Sequence, residues 1–167
     1  MIISRQWAMP SKNTFDIKPV RNFIDRNLPH GLSIDPFANT NRIAEVTNDL
    51  NPACCADFCE DALVFLKRWA DESISCVLYD PPYSPRQIKE CYDGVGWRPE
   101  GNYTQASFWS EQKTQIARIL KPGGLCLSFG WNSNGVGKTR GKRIKEIVIV
   151  AHGGAHNDTI CVCEEKL

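Results

Sequence analysis

One stretch of the sequence constrains the fold more than any other: the apolar run Ile74-Ser75-Cys76-Val77-Leu78-Tyr79, which Asp80, Pro81 and Pro82 end. Its β-branched and aromatic residues predict a buried parallel strand. Open α/β sheets bind ligands beyond the carboxyl ends of their strands, so Asp80 is expected at a ligand-binding edge. Each proline restricts the preceding residue to extended backbone. We therefore expect a rigid corner, rich in hydrogen-bond acceptors, at the edge of an α/β sheet.

That corner suits a planar heterocycle with an exocyclic amine. The Asp80 carboxylate and the Pro81 carbonyl can accept both amine hydrogens, and the carboxylate can balance positive charge as it develops. Tyr83 can stack on the ring, an interaction worth about 1–3 kcal/mol per base. The alternative is that the Asp-Pro-Pro sequence only makes a tight turn after the strand.

The segment Asp80-Pro81-Pro82-Tyr83 resembles the catalytic motif of the amino-methyltransferases. These enzymes transfer a methyl group from S-adenosylmethionine to adenine N6 or cytosine N4, and aspartate in the first position is more similar to the adenine-N6 enzymes. The resemblance implies that the four residues form the catalytic pocket and that the target base is flipped out of the duplex. It assigns no catalytic role to any cysteine.

A second segment that resembles this family is Phe15-Asp16-Ile17-Lys18-Pro19. In the family, the corresponding motif lies against the methionine end of the cofactor, which implies contacts from Phe15 and Lys18. Asp16 is a candidate helix N-cap and Pro19 suits a first helical turn, so we predict a helix that begins here. Residues 1–15 are expected to be irregular.

A short strand, Leu32 to Ile34, leads into a third segment with family character. It resembles the first cofactor motif, whose pattern is DPFxGxG, with Asn39 and Asn41 in the two glycine positions. Asparagine is the best non-glycine residue for left-handed backbone. The alternative is a strand followed by an Asx-type turn. The resemblance implies cofactor contacts from Asp35, Pro36, Phe37, Ala38 and Asn39.

Two further acidic residues are candidates for cofactor binding. The second strand, predicted at 43–48, is followed by Asp49, where nucleoside-binding folds place a carboxylate for the ribose hydroxyls. Asp61, before the helical pattern that starts at Ala62, resembles the residue that contacts the cofactor's adenine amine. A plain acidic helix start explains Asp61 as well.

The formal net charge of +1 provides no overall basic signature, so nucleic-acid binding would require local patches. One candidate is the predicted loop 84–104, which contains Arg86, Lys89, Tyr92, Trp97 and Tyr103. The other is a cluster after the fifth strand: Lys138, Arg140, Lys142, Arg143 and Lys145. From these two patches we select Arg86, Lys138, Arg140 and Arg143 as phosphate contacts. A surface loop and a solvated basic face are the respective alternatives.

A rival motif lies in the same region. Gly137-Lys138-Thr139 matches the end of a phosphate-binding P-loop, GxxxxGK[ST], but Asn132 stands where the first glycine is required. Nucleotide hydrolysis is therefore the less favoured function.

The remaining pattern completes an α/β fold. It predicts a helix over 105–120, a strand over 125–129, and a hairpin of strands 145–151 and 159–163 flanked by His152 and His156. Together with the family resemblance, this pattern implies a Rossmann-like class I methyltransferase fold: a mostly parallel seven-stranded sheet with helices on both faces and a C-terminal antiparallel hairpin. Family analogy implies the strand order 3-2-1-4-5-7-6.

The 167 residues are expected to form one catalytic domain, 1–167, with no separate target-recognition domain. The eight cysteines lack CxxC pairs, so we expect reduced thiols, no metal and a cytoplasmic location. No membrane segment is expected. The expected partner is duplex or single-stranded DNA, and a homodimer is possible. The same chemistry on RNA, and a non-catalytic module that binds nucleic acid or protein, remain alternatives.

Overall fold

The computed structural model describes residues 1–97 and 106–167. The strands in these ranges are β1 (Ile2–Trp7), β2 (Ser33–Asp35), β3 (Val46–Thr47), β4 (Ile74–Tyr79), β5 (Leu120–Gly130), β6 (Lys142–Ala151) and β7 (Thr159–Lys166). The helices are α1 (Lys18–Asn27), α2 (Ala62–Lys67), α3 (Pro85–Gly94) and α4 (Ala106–Ile119).

The described strands form one seven-stranded sheet in the order β1-β6-β7-β5-β4-β2-β3. Strand β7 runs antiparallel to both of its neighbours, and the other pairs are parallel. Helix α1 packs on one face of the sheet, and α2 and α4 pack on the other. The predicted fold class is therefore confirmed, including the C-terminal hairpin.

The strand order implied by family analogy is wrong at both edges. The seventh strand is β1, which pairs with β6 from Ile2 opposite Glu146 to Trp7 opposite Ala151. It lies in residues 1–15, which the sequence analysis expected to be irregular. At the other edge, where a third strand was expected, the described chain makes only an isolated bridge between Asn48 and Phe58. Most of β1 is exposed, so no buried face reveals it in the sequence.

Three local predictions also need correction. Asp16 does not cap α1, because it ends a short 3-10 turn and Ile17 occupies the cap position. The second strand is shorter than predicted and covers only Val46–Thr47. The predicted loop 84–104 begins instead with α3, whose N-cap Ser84 accepts a hydrogen bond from the Gln87 amide. The later part of that loop, including Tyr103, lies outside the described residues.

The two faces of the sheet have separate apolar clusters. Phe15, Phe23 and Phe129 meet on the α1 face, with ring centroids 4.8 Å apart for Phe15 and Phe129. Ile34, Val77 and other β-strand residues pack against α2 and α4 on the opposite face. Because both faces of β4 are covered, the chain leaves the core only after the last strand residue, Tyr79, at the carboxyl edge of the sheet.

The structure shows the state of the cysteines and the contacts of one histidine, His152. All eight cysteines are free thiols, and the described residues contain no cluster of side chains that could hold a metal. His152 is buried, and its ring nitrogens lie 2.8 Å from the Ala8 carbonyl and 2.8 Å from the Thr159 hydroxyl. It therefore ties the end of β1 to the C-terminal hairpin. No described helix has the length and apolar character needed to cross a membrane.

The glycine-rich segment that resembles a P-loop has a different role in this fold. The amides of Val136 and Gly137 donate to the Glu164 carboxylate at 2.5 and 3.0 Å. These are the kind of backbone donors that a P-loop offers to phosphate. A short 3-10 turn at Lys138–Arg140 follows, where a P-loop requires an α-helix. The geometry therefore opposes nucleotide hydrolysis.

We predict that Gly135→Ala destabilises the fold. A Cβ atom there would lie 2.2 Å from Glu164 Oε2, and φ is +53°. Gly141→Ala is the matched control, because φ is +71° but no atom lies within 4 Å of its Cβ. Left-handed strain of about 1–2 kcal/mol is common to both variants, and overpacking should cost Gly135→Ala roughly 1–3 kcal/mol more. Urea unfolding measures the difference, and equal stabilities would contradict this account.

Candidate active site

The carboxyl ends of β2 and β4 border a cavity of about 850 Å³, which we call the large pocket. Its other walls come from residues 11–16 and from the inner side of α3. Nine of the residues selected from the sequence line it: Phe15, Phe37, Ala38, Asn39, Asp49, Asp80, Pro81, Pro82 and Tyr83. The structure thus brings together segments that are up to 84 residues apart, from position 11 to position 95.

Hydrogen bonds from outside the motif hold the corner at Asp80. The Trp109 indole donates to the Pro82 carbonyl at 2.9 Å. The Tyr83 amide donates to Gln87 Oε1 at 2.7 Å, and the Tyr83 hydroxyl donates to Asp80 Oδ1. Among the described residues, no hydrogen bond uses the Pro81 carbonyl. The corner therefore keeps the Pro81 carbonyl as an acceptor, and the Asp80 carboxylate retains further lone pairs beyond those that Tyr83 and Thr14 use.

The protonation behaviour of the corner follows from its burial. Burial raises the pKa of Asp80, although hydrogen bonds from Tyr83 and Thr14 oppose that change. Burial, and then the neighbouring Asp80 charge, raise the pKa of Tyr83. Tyr83 therefore remains a neutral donor, and Asp80 is a carboxylate with an unusually strong preference for a proton or a positive partner.

The first cofactor motif adopts the conformation expected of its glycine substitute. Asn39 has φ +49°, in the left-handed region, whereas Asn41 does not have positive φ. The Asn39 amide donates to Asp49 Oδ2 at 2.8 Å, and the Asn51 amide donates to Asp49 Oδ1 at 2.9 Å. Asp49 therefore ties the turn after β2 to the turn after β3 and shapes this side of the large pocket.

Asp35 lies beneath that turn and does not line the large pocket. It is fully buried and accepts from the Phe37 amide at 2.9 Å and from Asn41 Nδ2 at 3.3 Å. Burial raises its pKa to about 7, and the two hydrogen bonds only partly offset this effect. The neighbouring charges of Asp80 and Asp49 raise the pKa further. Asn41, which occupies a glycine position, thus supports Asp35.

Three other predicted cofactor contacts also lie outside the large pocket: Lys18, Pro36 and Asp61. Lys18 is the exposed first residue of α1. Asp61 caps α2 by accepting from the Leu63 amide at 2.8 Å, and its other oxygen accepts from the Tyr92 hydroxyl. This geometry fits the alternative prediction, in which Asp61 is an acidic residue at the start of a helix.

Four carboxylates line the large pocket, and a single described cation accompanies them. The acids are Asp16, Asp49, Asp80 and Glu90, and the cation is Lys12. Glu90 is not among the predicted site residues, because the sequence around α3 predicts a loop. A periodic pattern of Ile88, Cys91 and Tyr92 was the signal that could have revealed the helix. The pocket therefore favours a ligand that carries positive charge.

The residues predicted to contact nucleic acid do not form one surface. The Arg86 side chain is 88% exposed on α3, where it pairs with Glu90 at 2.8 Å. Lys138 is exposed, whereas Arg140 lines a second cavity on the far side of the Asp80 corner. Arg143 pairs with Glu165 at 2.6 Å.

The prediction that Arg143 contributes to the candidate site is wrong, because of its position in the sheet. Strand β6 begins opposite the carboxyl end of β7 and reaches the site edge only at Val150, which pairs with Thr159. Arg143, opposite Glu165, is therefore at the edge of the sheet remote from Asp80. The sequence could not show this because the cluster spans the turn into a long strand. We do not include Arg143 in the candidate site.

Comparisons with known proteins show which class of fold this is. No family model matches the sequence, and no curated protein matches it. Solved structures of methyltransferases do match, at identities that show the fold alone. The chain therefore has the Rossmann-like methyltransferase fold.

Three of these structures illustrate the likeness. TrmN from Thermus thermophilus is 15% identical with a TM-score of 0.58, over 90% of this chain and 49% of that one. The chain thus spans about half of TrmN. The 1,6-didemethyltoxoflavin-N1-methyltransferase of Burkholderia thailandensis, solved with S-adenosylhomocysteine, is 10% identical with a TM-score of 0.60, over 89% and 77%. The N-methyltransferase NodS of Bradyrhizobium japonicum is 13% identical with a TM-score of 0.58, over 93% and 98%.

We predict that Asp35 makes the stability of the fold decrease as the pH rises. Its folded pKa of about 7 exceeds the ordinary 3.8, so the folded state binds more protons between these values. The contribution is complete below about pH 4 and is lost as the pH approaches about 7, with a total on the order of 4 kcal/mol.

Asp35→Asn removes this titration. We therefore expect its free energy of unfolding, relative to the parent protein, to increase between about pH 4 and pH 7 in urea titrations. Loss of the Asn41 contact adds an offset that does not depend on pH. A constant difference between the two proteins at all pH values would refute the assignment.

Proposed function

We propose that this protein is an S-adenosylmethionine-dependent methyltransferase that acts on the N6 amine of adenine in DNA. One observation carries the proposal: the Asp80 carboxylate and the unengaged Pro81 carbonyl converge on the wall of an acidic pocket at the carboxyl edge of the sheet. The proposal is also supported by the general rule that open α/β sheets bind ligands beyond the carboxyl ends of their strands. The resemblance of Asp80-Pro81-Pro82-Tyr83 to the catalytic motif of the amino-methyltransferases is the second support for the proposal.

The large pocket fits the cofactor in size and charge. Its volume of about 850 Å³ suits a nucleoside-sized ligand. S-adenosylmethionine supplies a methyl group on a positively charged sulfonium, and the carboxylates of the pocket favour that charge. Asp49 is the proposed acceptor for ribose hydroxyls, since each carboxylate oxygen can accept more than the one backbone amide it now binds. Phe15 and Phe37 supply apolar wall area.

The target amine would be held by the Asp80 corner. We propose that its hydrogens are accepted by Asp80 and by the Pro81 carbonyl, which orients the nitrogen lone pair away from the ring. The Tyr83 hydroxyl now donates to Asp80, so the amine would replace that donor and leave the Tyr83 ring free to stack on the base. The buried carboxylate would stabilise positive charge as it develops on the amine.

Two arguments favour adenine in DNA as the target. The first motif position is an aspartate, and a base could enter a pocket at the edge of the sheet only when it is flipped out of the duplex. The proposal of activity is supported by Asn39, whose left-handed conformation preserves the turn that a glycine would make. Because the Asp80 corner would recognise an amine and not a sugar, RNA is tested as a substrate beside DNA.

The deciding experiment is transfer of labelled methyl from S-adenosylmethionine to duplex DNA, single-stranded DNA and RNA. We expect label on adenine N6 in DNA. Asp80→Ala should lower the rate by more than about 100-fold, because the amine loses its positioning. Asp25→Ala, which removes an exposed aspartate paired with Arg21 on α1, is the matched control and should retain the parent rate. Equal rates for the two variants would eliminate the mechanism.

A binding measurement separates the cofactor from the target. Asp49→Ala frees the Asn39 and Asn51 amides from their acceptor, so we expect S-adenosylhomocysteine affinity to fall. A loss of about 1–3 kcal/mol is typical when hydrogen-bonded groups lose a charged partner. Isothermal titration calorimetry measures it, and Asp80→Ala should bind nearly as well as the parent. Undiminished affinity in Asp49→Ala would count against this assignment of the pocket.

A further inference from the structure

A second cavity, of about 420 Å³, lies beside the large pocket, and we call it the second pocket. Pro81, Pro82 and Tyr83 line both cavities, so these three residues form a shared wall. Asp80 lines only the large pocket. The second pocket is therefore adjacent to the proposed target site but does not include the Asp80 carboxylate.

The second pocket is basic, in contrast to its neighbour. Its described lining residues include Lys113 and Arg140 and no carboxylate. Arg140 donates to neutral acceptors, among them Ser110 Oγ at 2.8 Å and the Val136 carbonyl at 3.3 Å. No described side chain forms a salt bridge with Lys113. Burial, and then the nearby Arg140 charge, lower the pKa of Lys113, and these effects exceed the opposing effect of the Glu164 charge.

Aromatic rings complete the second pocket. Trp131, directly after β5, is 43% exposed, and its ring centroid lies 5.4 Å from that of Tyr83. Trp109 on α4 is held by its hydrogen bond to the Pro82 carbonyl. An exposed indole at the mouth of a basic cavity offers a stacking surface together with cations.

We propose that the second pocket binds the nucleotide next to the target adenine on the same strand. Its phosphate would lie between Lys113 and Arg140, and its base would stack on Trp131. The inference rests on the proposed function, because the shared wall is what makes the two sites neighbours. A nucleic-acid strand suits this arrangement since it offers an anion and an aromatic ring in each repeating unit. The acidic large pocket would repel that phosphate, so the uncharged target base would be the only part of the strand to enter it.

The test is the binding of a fluorescein-labelled six-nucleotide single-stranded DNA containing one adenine, measured by fluorescence anisotropy at several salt concentrations. Lys113→Gln should weaken binding about tenfold at low salt and reduce the salt slope by roughly 0.7, the value for one phosphate contact on a single strand. Lys121→Gln, an exposed lysine at the start of β5, is the matched control and should leave both quantities unchanged.

One further variant and one modified DNA distinguish the stacking part of the site from the phosphate-binding part. Trp131→Ala should weaken binding about tenfold without changing the salt slope, because stacking releases no counterions. A methylphosphonate linkage beside the adenine should weaken binding to the parent protein but not to Lys113→Gln. Lys113 is the preferred position for the charge change, since Arg140 also holds Ser110 and Val136 in place. Urea unfolding confirms that each variant folds.

The outcomes separate this inference from the proposed activity, because binding does not require methyl transfer. Identical affinities and slopes for Lys113→Gln and Lys121→Gln would overturn the inference even if DNA is methylated. A reduced slope for Lys113→Gln alone would support the second pocket as a nucleotide site even if no methyl group is transferred. In that case the chemistry assigned to Asp80 would be the part that fails.

Discussion

The position of β4 between β2 and β5 is the constraint on which the candidate site depends. Parallel ladders pair Val77 with Ile34 on one side and with Cys126 on the other. Both faces of β4 are covered by apolar clusters, so every residue from Cys76 to Tyr79 is buried. The chain can leave this environment only at the carboxyl edge, and Asp80 is the first residue to do so. The pairing of β4 with its neighbours and the burial of its residues therefore fix the position of the Asp80 carboxylate at the carboxyl edge of the sheet.

The wall that follows Asp80 divides two electrostatic environments. Four carboxylates line the large pocket on one side, and two cations line the second pocket on the other. The wall remains in place because its backbone is anchored twice, by Trp109 at the Pro82 carbonyl and by Gln87 at the Tyr83 amide. The two anchors come from different helices, Trp109 from α4 and Gln87 from α3. Opposite charges can therefore lie close together without neutralising each other through direct contact.

Three carboxylates, buried at Asp35 and Glu164 and half-buried at Asp49, support the loops around this site. Asp35 and Asp49 accept the amides of the turn after β2, and Glu164 accepts the amides of the turn that follows β5. Each carboxylate satisfies backbone donors that would otherwise be exposed to solvent or unpaired. The burial of Asp35 carries an energetic cost that appears as its raised pKa. The loops that border the large pocket are thus held by charged groups that avoid direct ion pairs.

Several features were accessible from sequence because local chemistry determines them. The proline pair after an apolar run predicted the strand and its rigid end, and Asn39 in a glycine position predicted left-handed backbone. The GG-containing turn between two β-branched runs predicted the C-terminal hairpin. Strand β1 escaped prediction because an exposed edge strand is stabilised by backbone pairing and has little buried face. Helix α3 escaped because proline and glycine at its two ends resembled a loop.

The sequence by itself determined the kinds of groups available: a stiff acceptor corner, a turn that tolerates asparagine, and a cluster of basic residues. Only the tertiary structure decided which of them share a cavity. It buried Asp35 beneath its loop, assigned Asp61 to a helix cap, and brought Arg140 but not Arg143 into the lining of the second pocket. The physical reason is that burial, charge balance and shared walls arise between segments far apart in the chain. Residue order does not encode those distances until the strands are paired.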